Sequence, residues 1–236
     1  FFAKEHIYVY KKFIQLKAVS DVISMFFRKF DSIGLSRKKA LGNGISQRCQ
    51  LEQWDCKGAE SREVGTYLHE QIHKHFIRET PDFAYHFQYN GEEVHVDKIV
   101  DISTEYTYFK KFLNEENIIP FRTEWQIFDP VLRIAGTIDF LSRNGNGFDL
   151  YDWKRSDKID KYATVWNHGI NGLESVPDTR YYHYCIQLNM YKYILENNYN
   201  ITINKMYLVV LHPAYNAYQK IEVPSMENAI NTIVGY

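Results

Sequence analysis

The sequence predicts an α/β fold in which helices flank a mixed central sheet and an N-terminal helical extension precedes it. Segments with helical spacing alternate with short strand-like runs, in the order helix, antiparallel meander, helix, strand, strand. Asn-Gly pairs separate consecutive strand-like runs, which is typical of β-hairpins. The chain has 236 residues, 45% of them hydrophobic, and is long enough to bury one substantial core.

Helices are predicted over most of the N-terminal third. Residues 4–30 place apolar side chains at helical intervals, with Ser20 and Asp21 as caps between two helices. Residues 36–47 are polar and contain a Gly-Asn-Gly turn signal. Residues 58–78 form a further helix that ends before a Thr-Pro pair.

Strands and helices alternate along the rest of the chain. The predicted strands are 83–89, 92–96, 121–128, 131–141, 147–154, 203–212 and 216–223. The predicted helices are 101–116, 181–198 and a C-terminal one, and a loop covers 156–179. We expect residues 1–55 to form a helical region packed on a core of residues 56–236, within one compact domain.

Composition limits the function classes. A net charge of −1 excludes a uniformly basic nucleic-acid binder but is compatible with a local basic cleft. Cys49, Cys56 and Cys185 suit neither a disulfide framework nor a four-thiolate cluster, so we expect thiols in the cytoplasm or another reducing compartment. The sequence contains no signal-peptide pattern or membrane-spanning run. Because it begins at Phe1 rather than Met, we expect a further segment upstream.

Residues 135–156, AGTIDFLSRNGNGFDLYDWKRS, bring acidic residues of two strands together. Asp139 lies in one strand, while Asp152 and Lys154 lie two residues apart, and therefore on one face, in the next. The Asn-Gly turn folds the strands together, so Asp139 can meet Asp152. Two carboxylates held this close repel each other unless a cation lies between them, and hard oxygen ligands favour Mg²⁺ or Mn²⁺.

A lysine beside such an ion suits phosphodiester hydrolysis. The ammonium group of Lys154 can orient or help deprotonate an attacking water and can offset negative charge on the phosphate. The same three residues are also compatible with a salt-bridge cluster on an exposed sheet face. The strand pair alone leaves both interpretations open.

Four short motifs in register resemble the PD-(D/E)XK nuclease superfamily, specifically its RecB-like branch. Residues 136–139, Gly-Thr-Ile-Asp, match that branch's G-x-[IV]-D strand, and residues 152–154, Asp-Trp-Lys, match its D-x-K strand. Residues 65–69 match its upstream G-T-x-x-H helix, and residues 187–191 match its downstream Q-x-x-x-Y helix. The resemblance spans roughly residues 59–213 and implies a restriction-endonuclease-like central sheet.

This resemblance also implies roles for individual residues. The groups that would hold one or two Mg²⁺ or Mn²⁺ ions are His69, Asp139, Asp152 and the backbone carbonyl of Trp153. Lys154 would be the catalytic lysine. Relatives that keep a glutamate on the preceding strand add Glu124 to the same region. Gln187 and Tyr191, one helical turn apart, would contact the substrate strand.

Basic and aromatic residues beside the predicted site indicate a phosphate-bearing substrate. Arg155 and Lys158 belong to a cationic run that would bind a phosphate backbone, although a solvated charged loop has the same composition. Nearby aromatic side chains could stack the bases of a single strand or pack the loop onto the sheet. These aromatic residues are Tyr162, Trp166, Tyr181 and Tyr182.

The resemblance implies a Mg²⁺- or Mn²⁺-dependent DNA exonuclease that acts on single-stranded ends in recombination, repair or genome processing. The alternatives are an endonuclease of the same fold and a non-catalytic nucleic-acid-binding scaffold. DNA, single-stranded or as a duplex end, is the expected partner, and any helicase or recombination protein would be a separate chain. Relatives with an iron–sulfur cluster carry four cysteines around the core, so we expect no cluster here.

Residues 69–73, HEQIH, also match H-E-x-x-H, the helical signature of zinc peptidases. The extended form of that signature fails because Phe76 stands where glycine is required, although a later glutamate could supply a third ligand. A peptidase would leave the D-x-K strand and the glutamine–tyrosine helix unexplained. We therefore assign His69 to a site shared with the two aspartates. No direct role is expected for Glu70, His73 and His75.

Overall fold

A mixed seven-stranded sheet lies at the centre of the molecule, in a computed structural model that describes residues 8–10, 14–161 and 167–236. In chain order, the strands are β1 Tyr8–Tyr10, β2 Ile14–Ala18, β3 Ala84–Asn90, β4 His95–Asp101, β5 Pro120–Asp129, β6 Ile134–Asn144, β7 Gly147–Lys154, β8 Ile203–Val210 and β9 Gln219–Glu222. The order in the sheet is β1-β2-β6-β7-β8-β9, with β5 paired to β6. Strands β3 and β4 form a separate antiparallel hairpin.

Helices cover both faces of this sheet. In chain order, they are α1 Val19–Ser24, α2 Ser32–Asn43, α3 Gln47–Phe76, α4 Ser103–Glu115, α5 Arg180–Asn198 and α6 Glu227–Val234. Buried residues of α1, α5 and α6 share one core with Ile138 and Leu150, and those of α3 and α4 share another with Phe140 and Trp153. The predicted α/β architecture, a mixed sheet flanked by helices, is therefore confirmed.

Strand β6 borders a gap in the sheet. One edge of β6 pairs antiparallel with β5 along most of its length. On the other edge, β2 pairs parallel with β6 only at Ile134 and Ala135, and β7 pairs with it only from Phe140 onward. Residues 136–139 therefore have no strand partner on that edge among the described residues, and the gap lies at the middle of the sheet.

Among the described residues, the helical prediction for residues 4–30 is right only for Val19–Ser24. Ser20 and Asp21, predicted as caps, lie inside that helix, and residues 25–30 are not helical. Residues 8–10 and 14–18 are strands, and the helix α1 begins only at Val19. Leu16 and Ala18 are buried whereas Gln15 and Lys17 are exposed, which is the alternation of a half-buried strand. A short apolar run fits both periods, and pairing with β6 decides between them. The N-terminal region therefore contains both strands and helices, whereas the prediction gave helices alone.

Helix α3 starts earlier than predicted, at Gln47 rather than residue 58. The Ser46 hydroxyl caps it by accepting a hydrogen bond from the Cys49 backbone N–H. The polar stretch before it is largely helix α2, which ends at Gly44 in the left-handed conformation (φ 65°). The division predicted at residue 55 therefore falls inside a continuous helix of 30 residues.

The turn of the β3–β4 hairpin is longer than the Asn-Gly pair predicted. Asn90 pairs with His95, which leaves four residues in the loop. The Glu52 carboxylate accepts hydrogen bonds from three successive backbone N–H groups of this loop, at 2.8–3.0 Å. That contact with α3 holds the wider turn.

None of the helices in the described part of the chain is long and apolar enough to cross a lipid bilayer.

Gly136 lies in β6 at the gap, against the ring of Tyr191 from α5. A Cβ atom at Gly136 would lie 2.4 Å from Tyr191 Cε1, well inside contact distance. The glycine in this strand is therefore required by a close approach of the protein's own ring. Close packing of this kind leaves no room for an added methyl group.

Replacing Gly136 with Ala is expected to destabilise the fold by about 1–3 kcal/mol, because the Tyr191 ring must shift. Urea unfolding monitored by circular dichroism measures this loss. Gly42→Ala in α2 is the matched control, since a Cβ there has no neighbour within 4 Å. That control is expected to be neutral or to stabilise by up to about 1 kcal/mol. Equal effects of the two substitutions would contradict the packing assignment.

Candidate metal centre

Asp139 lies at the border of the sheet gap, held by β7. Its Oδ2 accepts a hydrogen bond of 2.8 Å from the Trp153 backbone N–H. The regular β6–β7 pairing stops one residue away, at Phe140 and Tyr151, so the carboxylate replaces a strand partner there. Asp139 is only 9% exposed, and burial of an acid this deep requires compensating partners.

Both strands that carry the site are irregular at this position. Ile138 packs in the core beneath α5 and Phe140 in the core beneath α3, although residues two apart normally share a face. On β5, Glu124 lies opposite Asp139, between the pairs Thr123–Phe140 and Trp125–Ile138. Its φ of 48° is in the left-handed region. That conformation costs on the order of 1–2 kcal/mol for a residue with a side chain. Backbone strain of this kind is concentrated at functional sites.

Helix α3 brings His69 over the same gap. Its Nε2 lies 2.9 Å from the backbone carbonyl oxygen of Trp153, and because a carbonyl only accepts, Nε2 carries a hydrogen. Its Nδ1 lies 3.5 Å from Asp139 Oδ1 and 4.0 Å from Glu124 Oε1. A backbone acceptor on one imidazole nitrogen that leaves the other facing carboxylates is a common arrangement for a metal-binding histidine.

His69, Glu124 and Asp139 could together hold a divalent cation. Each offers one donor atom, and the three atoms lie within 4.8 Å of one another. With ligand bonds of about 2.1 Å, two donors on opposite sides of a Mg²⁺ ion lie about 4.2 Å apart. The distances of 3.5 and 4.0 Å therefore suit one ion with little movement. One imidazole and two carboxylates fit a divalent cation without selecting one metal.

Two groups of the predicted ligand set lie beside the three-residue cluster, with partners within the protein. Lys154 Nζ lies 2.7 Å from Asp152 Oδ2. The Trp153 carbonyl oxygen accepts a hydrogen bond from His69. Their role as metal ligands stays a prediction. Asp152 and Lys154 do share one face of β7 as predicted, and their side chains are only 5% and 16% exposed. They are therefore not the exposed surface cluster that the strand pair alone left open.

Two neighbouring groups stabilise the charged form of the Lys154 amine. The Asp152 carboxylate lies beside it, and its Nζ lies 4.5 Å from the centre of the Tyr184 ring on α5. Burial lowers the pKa of Lys154, but Asp152 and Asp139 outweigh burial and raise it above the ordinary value. Charge and a hydrogen bond from Lys154 Nζ to the Asp152 carboxylate hold the pair together.

Three carboxylates, those of Glu124, Asp139 and Asp152, face two basic groups, those of His69 and Lys154. Burial raises the pKa of Glu124, and the Asp139 carboxylate raises it further, to about 7. Burial also raises the pKa of Asp152, to about 6, against the opposing effect of Lys154. Burial lowers the pKa of His69, but Asp139 and Glu124 raise it to about 9. Burial raises the pKa of Asp139, but His69 and Lys154 lower it below the ordinary value.

Two cavities meet at this cluster. The α5 cavity, of about 560 Å³, contains Asp139, Asp152, Glu124 and the residues facing them from α5. The α3 cavity, of about 900 Å³, extends along α3 on the other side. Three residues line both: Thr66, His69 and Lys154. The candidate metal centre is therefore open from two directions.

Gln187 and Tyr191 lie in the α5 cavity as a bonded pair. Gln187 Nε2 donates to the Tyr191 hydroxyl at 2.9 Å. Burial raises the pKa of Tyr191 well above the ordinary value. The predicted helical pair thus lines the same cavity as Asp139 and Asp152.

The cationic run after β7 is only partly near the site. Arg155 lines the α3 cavity but donates at 2.8 Å to the buried Glu105. Lys158 pairs with Asp160 on the surface and lines neither cavity. Among the predicted aromatic residues, Tyr181 and Tyr182 pack on the core beneath α5, which is the packing alternative. Tyr162 and Trp166 lie outside the described residues.

The second histidine of HEQIH is not in the cluster. His73 Nδ1 lies 3.2 Å from the Thr123 hydroxyl, and Glu70 pairs with Lys74. His75 packs among aromatic rings beneath α4.

The α3 cavity is also lined by Trp54, Lys57 and Arg62, for which no role was predicted. Their spacing on one helix was the available signal, because it places them within reach of a common surface.

Comparisons with known proteins identify no family. No protein-family model matches the chain, and no curated protein matches it. The solved structure of SSO0001 aligns with 56% of this chain at 18% sequence identity and a TM-score of 0.32. The aligned part covers 52% of SSO0001, so the chain spans about half of that protein's length.

The metal-free protein is expected to lose stability as pH rises from about 5 to 9. His69 has a folded pKa of about 9 against an ordinary 6.5, so its contribution is complete below 6.5 and is lost through 9. Glu124 and Asp152 favour their protonated forms, with pKa values of about 7 and about 6, so their contributions are also lost as pH rises. Urea unfolding in EDTA should show a loss on the order of 3 kcal/mol.

Two comparisons check this pH dependence. The double variant His69→Gln, Glu124→Gln should make the profile shallower, because it removes two of the three titrating groups and leaves only Asp152. Added Mn²⁺ should stabilise the wild type more at about pH 8 than at about pH 5.5, because His69 must release a proton to bind it. A profile that rises with pH in EDTA would contradict the assigned charges.

Proposed function

We propose that the chain is a divalent-metal-dependent nuclease of the PD-(D/E)XK type, similar to the RecB-like branch, built on a restriction-endonuclease-like sheet. The observation that carries the proposal is the meeting of His69, Glu124 and Asp139 within 4.8 Å, beside the buried Asp152–Lys154 pair. The four motifs in register support it independently. The substrate proposed is DNA, cut from single-stranded ends in recombination, repair or genome processing.

The cluster residues are suited to phosphodiester hydrolysis. A bound Mg²⁺ or Mn²⁺ ion, held by His69, Glu124 and Asp139, would polarise a phosphate and lower the pKa of a bound water. Lys154 is held as an ammonium group and therefore offsets charge on the phosphate rather than accepting a proton. Asp152, with a pKa of about 6, is the better proton acceptor at neutral pH.

The substrate strand would lie between the two helices that close the site. Gln187 and Tyr191 present an amide and a hydroxyl from α5, and α3 presents His69 and Thr66 from the opposite side. These neutral and metal-binding groups can position a phosphate without reading a base. The motif resemblance makes DNA the proposed partner, with a helicase or recombination protein as a separate chain.

Lys154→Met and Asp139→Asn are expected to separate chemistry from metal binding. Both should reduce cleavage of end-labelled single-stranded DNA in Mn²⁺ by about 10²–10⁴-fold, since Lys154→Met removes a cation beside the reacting phosphate and Asp139→Asn removes a carboxylate that would hold the metal. Titration calorimetry with Mn²⁺ should show that Asp139→Asn loses binding while Lys154→Met keeps it. Lys205→Gln, an exposed substitution on β8, is the control and should leave both properties unchanged.

Wild-type protein that binds Mn²⁺ through Asp139 but cleaves no nucleic acid would indicate a non-catalytic scaffold. Absence of carboxylate-dependent metal binding would remove the proposal altogether.

Circular single-stranded DNA separates the two nuclease modes. An exonuclease needs an end, so the linear form of a sequence should be degraded while its circular form stays intact. Gel analysis of both forms under the same Mn²⁺ conditions measures the difference. Cleavage of the circle at a comparable rate would instead establish an endonuclease of the same site.

A further inference from the structure

The α3 cavity contains an aromatic pair at its wall. Phe30 lies before α2 and Trp54 lies on α3, with ring centres 5.7 Å apart. Phe30 is 67% exposed, although burying a ring of that size is normally favourable. Trp54 is partly buried, and both rings line the cavity. Unpaired bases stack on aromatic rings that line a cleft, with little regard to sequence.

Cations that are not engaged elsewhere lie beside this pair. Lys57, Arg62 and Arg180 line the α3 cavity, and none of them takes part in an ion pair among the described residues. By contrast, Arg155 is bound to Glu105, and the Glu60 carboxylate is bound to Lys98. Asp157 is the one lining carboxylate without such a partner among the described residues, so the free charges are net positive. Free cations beside exposed rings are what a single-stranded phosphate backbone requires.

The face of α3 between these groups is open down to its backbone. Gly58, Ser61 and Gly65 lie one above another on the cavity side of the helix. A Cβ at Gly65 would have no neighbour within 4 Å, so packing within the protein does not require this glycine. A glycine inside a helix lowers helix stability, which indicates a gain elsewhere. Close approach of a ligand to the helix is such a gain.

We propose that the α3 cavity binds the single-stranded nucleic acid that leads to the metal centre. Phe30 and Trp54 stack its bases, and Lys57, Arg62 and Arg180 contact its phosphates. The strand then passes Thr66 and reaches Lys154 and His69, which are shared with the α5 cavity. This assignment rests on the proposed nuclease function for its purpose, but the binding it describes needs neither metal nor hydrolysis.

The test is binding of a fluorescent oligothymidylate in EDTA, where hydrolysis cannot occur. Trp54→Ala should weaken binding about tenfold or more, whereas Trp54→Phe, which keeps a ring, should bind nearly as wild type. The triple variant Lys57→Gln, Arg62→Gln, Arg180→Gln should lower the slope of log affinity against log salt by about 2. The matched control, Lys110→Gln, Lys111→Gln, Lys205→Gln, has the same net charge outside both cavities and should bind as wild type.

Gly65→Ala adds a readout that loss of folding cannot imitate. It should raise the melting temperature by about 2–4 °C, because alanine favours the helix and its Cβ meets no neighbour. The same variant should bind the oligothymidylate several-fold more weakly, because the added methyl group stands in the path of the strand. A variant that is more stable and binds as wild type would count against the path along α3.

Results for the two proposals are distinguishable. Cavity-dependent binding without cleavage by wild type would overturn the nuclease function and leave the binding site standing. Cleavage that requires Asp139 but is indifferent to Trp54 and Arg62, with unchanged affinity, would overturn the α3 cavity assignment alone. Equal binding of the duplex form, unaffected by Trp54→Ala, would also overturn it, because stacking on the rings needs unpaired bases.

Discussion

Compensation of buried negative charge is the constraint on which the site depends. Asp139, Asp152 and Glu124 line one cavity at the middle of the sheet, where water can solvate them only partly. Two cationic groups offset their charge. Lys154 is paired with Asp152, and the His69 imidazole lies against Asp139 and Glu124. A divalent cation would replace the proton on His69 with a stronger and better-centred charge.

The gap in the sheet creates the room for this chemistry. Strand β6 leaves its partner β2 after Ala135 and meets β7 only at Phe140, so the segment between them can place Asp139 where a strand partner would otherwise lie. The left-handed backbone at Glu124 lies on β5, and Gly136, which contacts the Tyr191 ring, lies on the paired strand β6. The irregular backbone thus lies where the charged groups meet.

The same gap joins two cavities of different character. On the α5 side the lining carries the carboxylates and the Gln187–Tyr191 pair, and on the α3 side it carries uncommitted cations and the Phe30–Trp54 rings. A polyanion is attracted to the second surface and repelled by the first unless a metal ion is bound. If both proposals hold, substrate approach along α3 would be coupled to charge neutralisation at the centre.

The sequence by itself determined the elements whose signals are local. The turn between β6 and β7, the shared face of Asp152 and Lys154, and the helical placement of His69 follow from spacing and turn chemistry. Only the tertiary structure brought Glu124 within 4.8 Å of His69 and Asp139, because this meeting depends on a strained backbone and on the packing of segments far apart in the chain. Strand pairing likewise turned residues 8–10 and 14–18 of the predicted N-terminal helix into strands, and the packing of α3 created a cavity that no single segment encodes.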